Sequence, residues 1–250
     1  MNPMWSSLKA RVDNRLARHL LQRSFRLTNK SPMVSFTFDD TPVSAATTGA
    51  EMIEEFDARA TYYVSGGLAD TWSGNWINAG AADIVRLHRK GHEIACHTYS
   101  HTRTTDVSAA EMAAEIERNR SYLQGLDASI RIENFAFPFG MGSLLRKRQL
   151  GSVFRSSRGI LPGVNSGTVD LLYLASMPLM DREIDCAGID RAFDEALEKN
   201  GWLIFFGHDV AAEPSPYGCS PKLLRHALEA AARRKMTNVP VADALRLAGA

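Results

Sequence analysis

The sequence predicts an α/β chain folded as a distorted (β/α) barrel of about seven strands in a single domain. Three observations carry that expectation. Short apolar or β-branched runs alternate with longer helical patterns almost to the C-terminus, which is the rhythm of βα units. The 250 residues, 45% of them hydrophobic, can bury one full core and suit a larger domain better than two small ones. No internal repeat, low-complexity stretch or obvious linker interrupts the alternation. An open, doubly wound sheet is the competing architecture.

The expected strands, in order, are Met33 to Phe38, Ala60 to Val64, His92 to Cys96, Asn134 to Phe137, Ser152 to Arg155, Leu171 to Ala175, Trp202 to Phe206 and Asn238 to Val241. Between them the clearest helices are Thr48 to Phe56, Asp83 to Lys90, Ser108 to Leu123, Ile189 to Lys199 and Pro221 to Lys235. Several open on Ser, Thr or Asp and close on Gly91, Gly125 or Asn200, the residue types that cap helix ends.

The first 30 residues stand apart as a basic arm, with 31–250 as the main domain. The arm holds seven Lys or Arg and one acid, Asp13, a net of +6 in a chain whose total is +1. Leu8, Val12, Leu16 and Leu20 recur in it at helical spacing, with Lys9, Arg11, Arg15, Arg18 and Arg23 on much of the remaining surface. Such a basic amphipathic helix suits peripheral contact with an anionic membrane or an acidic partner, or else caps the bottom of the domain. The near-neutral total gives no reason to expect nucleic acid as a partner. No apolar signal region and no stretch long enough to span a bilayer is visible, so the expected compartment is the cytoplasm. Cys96, Cys186 and Cys219 are odd in number and lack zinc-knuckle spacing, so they read as reduced thiols.

Four motifs carry chemistry. In Thr37-Phe38-Asp39-Asp40, two adjacent carboxylates end an apolar strand. A cation relieves their repulsion if one carboxylate binds it while the other serves as a base, although an Asp-Asp turn before Pro42 also fits. His97-Thr98-Tyr99-Ser100-His101 follows another strand, and two imidazoles plus one carboxylate make a three-ligand metal site with a position left open. Phe135-Ala136-Phe137-Pro138-Phe139-Gly140 ends a strand in a turn that can aim the Phe139 N–H at an oxyanion, or simply leave the strand. His208-Asp209 closes the apolar run from Trp202, where His208 can donate a proton to a leaving amine or sit as a satisfied core histidine. All four lie at the C-terminal ends of predicted strands, the end at which parallel barrels assemble their sites.

In this order the motifs resemble the polysaccharide deacetylase family, the carbohydrate esterases of family 4 that share the NodB homology domain. The resemblance runs from about Met33 to Leu247 and implies a distorted (β/α) barrel. It implies Asp39 as catalytic base, Asp40, His97 and His101 as ligands of a divalent metal, usually zinc and sometimes cobalt, Phe139 as an oxyanion donor and His208 as general acid. The implied substrate is an N-acetylated saccharide containing N-acetylglucosamine. The chain departs from the pattern twice. The Arg that many members carry in the third motif is matched by Ala136, which leaves Arg155 or Arg158 to reach Asp39. No Asp for the histidine acid is evident, with Asp170, Asp181 and Asp185 as candidates. Trp72 and Trp76, in one loop, suit stacking on a sugar ring or packing on the barrel. The sequence leaves the oligomeric state open.

Overall fold

The computed structural model describes residues 3–250, with the side chains of residues 3–7 and of Lys9 outside the described ones. Helix α1 (Pro3–His19) and strand β1 (Ser24–Arg26) precede the central sheet. The sheet is parallel throughout and is built from β2 (Met33–Asp39), β3 (Thr61–Val64), β4 (Glu93–Cys96), β5 (Asn134–Ala136), β6 (Ser156–Arg158), β8 (Met177–Pro178) and β9 (Trp202–Gly207). Their spatial order is β6-β5-β4-β3-β2-β9-β8, and a short β10 (Thr237–Asn238) pairs with the start of β2. Strand β7 (Thr168–Asp170) lies outside it, antiparallel to β1.

All strands of the sheet except β6, which runs on through β7 to β8, are followed by helices. These are α2 (Ala50–Glu54), entered through a π-turn at Ala45–Gly49, α3 (Ala81–Arg89), α4 (Ala109–Leu126), α5 (Leu144–Leu150), α6 (Cys186–Glu198), α7 (Pro221–Arg233) and α8 (Val241–Leu247). Strand alternation divides β2 into two faces. Val34, Phe36 and Phe38 join the main core with Leu203 and Phe205, while Ser35, Thr37 and Asp39 take the other face. On that inner face Ser35 Oγ donates to the Val239 carbonyl at 2.7 Å and Thr37 Oγ1 to that of Phe205 at 2.8 Å. Helix starts follow their caps: Ser108 and Glu111 form a reciprocal capping box on α4, and Asp185 and Ser220 cap α6 and α7.

Three expected strands shift. Ser152 to Arg155 is the turn that ends α5, and the strand begins one residue later, at Ser156. Its apolar Val153 and Phe154 imitate a strand, but Val153 N and Phe154 N both close back onto the Leu150 carbonyl. Leu171 to Ala175 is irregular, although it still lies beside β6: Ser157 N donates to the Leu171 carbonyl and Gly159 N to that of Leu174. Running from there into β8 and so to β9, this stretch completes the curl by isolated bonds in place of a ladder, which is the distortion of the barrel. At the end of the chain only Thr237 and Asn238 are extended, because Pro240 starts α8.

The N-terminal arm packs along α5. Leu144 N donates to Asp13 Oδ1 at 2.8 Å, Gly142 N to Asn14 Oδ1 at 2.9 Å, and Lys147 Nζ to the carbonyls of Ala17 and Leu20. The helix thus stands at the side of the barrel and does not cap its bottom. Among the described residues, no helix is long and apolar enough to cross a membrane.

Candidate functional site

The inner face of the barrel is polar and layered. Thr61, Glu93, Asn134 and Ser156 make a lower layer, joined by hydrogen bonds of 2.6 to 2.8 Å. One step toward the C-terminal ends come Tyr63, paired in register with Ala95, and Ala136, paired with Arg158, with Tyr63, Ala95 and Ala136 packed together. Arg158 is fully buried, sandwiched between the rings of Tyr63 and Phe206, and its guanidinium bonds to Oδ1 of Asp39 at the end of β2. Burial alone would raise the Asp39 carboxyl. The charge of Arg158, followed by the imidazoles of His97 and His208, outweighs burial and holds it below its ordinary value.

Beyond Asp39 the chain turns sharply, with Asp40 and Thr41 both at positive φ (58° and 55°). That turn aims Asp40 at the loop after β4. Asp40 Oδ1 lies 3.3 Å from His101 Nε2 and 3.7 Å from His97 Nε2, and one ligand atom from each of the three residues falls within 4.8 Å of the others. Burial, with the neighbouring Asp39, pushes Asp40 up to about 7. Burial brings His97 down to about 4 and, with His97 beside it, His101 to about 3.

These residues fit a divalent cation. Asp40 Oδ1 is buried without a hydrogen-bond partner, and imidazole ligates in the neutral form that burial enforces here. His97 Nδ1 is engaged at 2.9 Å by the carbonyl of Ala136, which fixes the tautomer with Nε2 turned toward Asp40.

The loop is held from outside. Glu115 of α4 accepts from Tyr99 N at 3.0 Å and Ser100 N at 2.7 Å, and from Ser100 Oγ at 3.1 Å. It stabilises a stretch in which Thr98 and His101 both have positive φ (61° and 52°). Sequence reasoning missed Glu115 because it sits on the exposed-looking pattern of a helix.

Phe139 also has positive φ (57°), and Gly140 follows at 62°. A Cβ at Gly140 would come within 2.3 Å of Ile160, so only glycine fits there. The Phe139 ring stands 4.3 Å from that of His101, so this residue also walls the cluster.

His208 follows β9. Its Nδ1 faces the Tyr217 carbonyl at 3.2 Å, its ring lies 5.1 Å from that of Trp76, and burial lowers its pKa. Asp209 binds Ser215 through backbone and hydroxyl (2.8 and 2.5 Å), folding the loop that brings Tyr217 back. Of the acids considered for His208, Asp170 pairs with Lys147, Asp181 takes Ser220 N and Asp185 caps α6. Arg155 pairs with Glu133, leaving Arg158 as the partner of Asp39. Trp76 is buried with its Nε1 on Asn78, whereas Trp72 and Tyr217 are exposed. Cys96 is a buried strand residue with its thiol pushed up to about 11 by burial.

The molecule is therefore a distorted parallel barrel whose C-terminal rim gathers an arginine-bound aspartate, a two-histidine and one-carboxylate cluster, and a further histidine. The chain belongs to the polysaccharide deacetylase family, whose pattern matches residues 26–150. It is 27% identical over 113 residues to a bifunctional xylanase/deacetylase of Pseudobutyrivibrio xylanivorans, a stretch covering 45% of this chain and 17% of that protein. It is 28% identical over 108 residues to a chitin deacetylase of Colletotrichum lindemuthianum, covering 42% and 38%. The chain thus matches well under half the length of either curated relative. The fold is that of a family 4 acetyl xylan esterase from Clostridium thermocellum solved with a cobalt ion, with a TM-score of 0.61, 21% identity, and 87% and 92% of the two chains covered.

Proposed function

We propose that this protein is a metal-dependent hydrolase that removes the acetyl group from nitrogen on a saccharide containing N-acetylglucosamine. The observation that carries the reading is Asp39, charged and held by Arg158, standing next in sequence to the Asp40, His97 and His101 cluster. Family membership and the deacetylase names of both curated relatives support it.

Asp40, His97 and His101 would hold the cation. Two imidazoles and one carboxylate favour zinc, and cobalt is the ion in the Clostridium thermocellum esterase. When bound, a divalent cation supplies Lewis acidity toward the acetyl carbonyl and lowers the pKa of water.

The remaining work falls to side chains and backbone. Arg158 occupies Oδ1 of Asp39, so Oδ2 is the oxygen that takes the proton of the attacking water. The Phe139 N–H, set by its left-handed turn, donates to the carbonyl oxygen as negative charge grows there. Tyr217 fixes the proton of neutral His208 on Nδ1, so Nε2 is the atom that gains and then passes a proton to the departing sugar nitrogen. Because burial lowers its pKa, the His208 imidazolium gives up that proton readily. The products are acetate and a free amine. Trp72 and Tyr217, exposed on the loops around His208, offer flat apolar surfaces for a sugar ring.

The test is acetate release from N-acetylglucosamine oligomers by metal-loaded protein, with Asp39→Asn and a chelated sample as controls. Release that disappears in both controls is the expected result. No release from protein with bound metal and intact fold would turn the reading toward a non-sugar amide or a sugar-binding role.

A further inference from the structure

Helix α1 docks by the wrong face for an ordinary amphipathic helix. Among its described residues the buried ones are Asn14 and Ala17, and its bonds to the barrel include those of Asp13, Asn14 and main-chain carbonyls. The apolar line Leu8, Val12, Leu16 and Leu20, set at four-residue steps, points the other way and stays between 41 and 54% exposed. Leu20 extends that line past the helix end because its N–H still bonds the Leu16 carbonyl at 2.9 Å. Leu21, and Leu145 in the first turn of α5, are exposed as well. Four aliphatic side chains in a row normally bury themselves, and an exposed line of this kind marks a contact surface.

The charge around the line selects the partner. Residues 1–30 carry a net of +6, and exposed Arg11 and Arg15 flank the stripe; Lys9 adds to that charge in sequence, with its side chain outside the described residues. Two copies meeting along this stripe would bring like charges together, whereas acidic headgroups over acyl chains match both the apolar line and its basic flanks. We propose that α1 is an interfacial helix that attaches the protein to an anionic lipid bilayer through Leu8, Val12, Leu16 and Leu20. Its opposite face is bonded to Gly142 and Leu144, just past Phe139, so attachment would hold the catalytic rim beside the headgroups.

The experiment is co-sedimentation of the full chain with vesicles of phosphatidylglycerol and phosphatidylcholine, against vesicles of phosphatidylcholine alone, with gel filtration in parallel. Val12→Glu with Leu16→Glu should abolish pelleting while leaving thermal melting unchanged, since both positions are exposed. Arg11→Ser with Arg15→Ser should weaken binding roughly thirty-fold, about five-fold for each basic residue near an anionic surface. Failure to pellet with the anionic vesicles, or pelleting that survives Val12→Glu with Leu16→Glu, overturns the proposal. So does a stable dimer that this double variant dissolves, which would assign the stripe to a second copy. The assay reads binding alone, so its outcome is independent of whether the protein deacetylates sugars.

Discussion

Arg158 stands beside Ala136 in the register of β5 and β6, and its guanidinium reaches across the barrel to Asp39. The cation expected from position 136 is supplied by the neighbouring strand at the same height. Removing one partner of a buried ion pair costs about 3 to 5 kcal/mol, so Arg158→Ala should lower stability by that much in urea titration and abolish turnover. Combining it with Ala136→Arg should restore part of the turnover, because the two positions share one layer. Unchanged activity in Arg158→Ala would remove Arg158 from the account.

Metal uptake should depend on pH through Asp40. Its carboxyl is pushed up to about 7 in the cation-free site, so below that pH a proton must leave before the oxygen can ligate. Apparent zinc affinity measured by calorimetry is expected to be roughly tenfold weaker at pH 6 than at pH 8, with proton release on binding at the lower pH. Affinity that rises on acidification would contradict this assignment.

Glu115 touches neither imidazole, yet it carries the turn between them through three hydrogen bonds. Glu115→Ala should loosen the turn from Thr98 to His101 and weaken metal binding roughly ten- to hundred-fold, the scale of supporting contacts around metal ligands. The fold should survive, which a thermal melt compared with the parent protein will show.

The arm is locked to the barrel by Lys147 and Asp170, 2.6 Å apart and both buried. Burial alone would raise Asp170, but hydrogen bonds from Lys147 and from Leu172 N and Gln22 N bring it below its ordinary value. The unfolded chain therefore takes up this proton at a higher pH than the folded one. The stabilisation is complete above the ordinary aspartate pKa of about 3.9 and is lost as pH falls through the lower folded value. Asp170→Asn should remove it at neutral pH as well, destabilising the protein by about 3 kcal/mol and flattening that part of the acid unfolding curve.

Much of the fold is legible in the sequence. The strands ending in Asp39, Cys96 and Gly207 are legible because a short, mainly apolar run gives way to polar residues that break its pattern, and the one ending in Ala136 because Pro138 and Gly140 stop the aromatic run. Two expected strands differ because their apolar residues serve other ends: Val153 and Phe154 close a helix, and Leu171 to Ala175 runs beside β6 without a regular ladder. The two short strands β1 and β7 gave no signal of their own, since each is three residues long and exists through the other.

What the sequence by itself determined is the alternation that makes a parallel barrel, and with it the end of each strand at which Asp39, Asp40, His97, His101, Phe139 and His208 sit. Those are consequences of local periodicity, which a linear chain displays. Only the tertiary structure decided that Arg158, and not Arg155, meets Asp39, that the Tyr217 carbonyl attends His208, and that α1 turns its leucines to solvent. Each of these depends on strand register or on the way a loop or helix packs, and register joins residues far apart in sequence through bonds that no local pattern encodes.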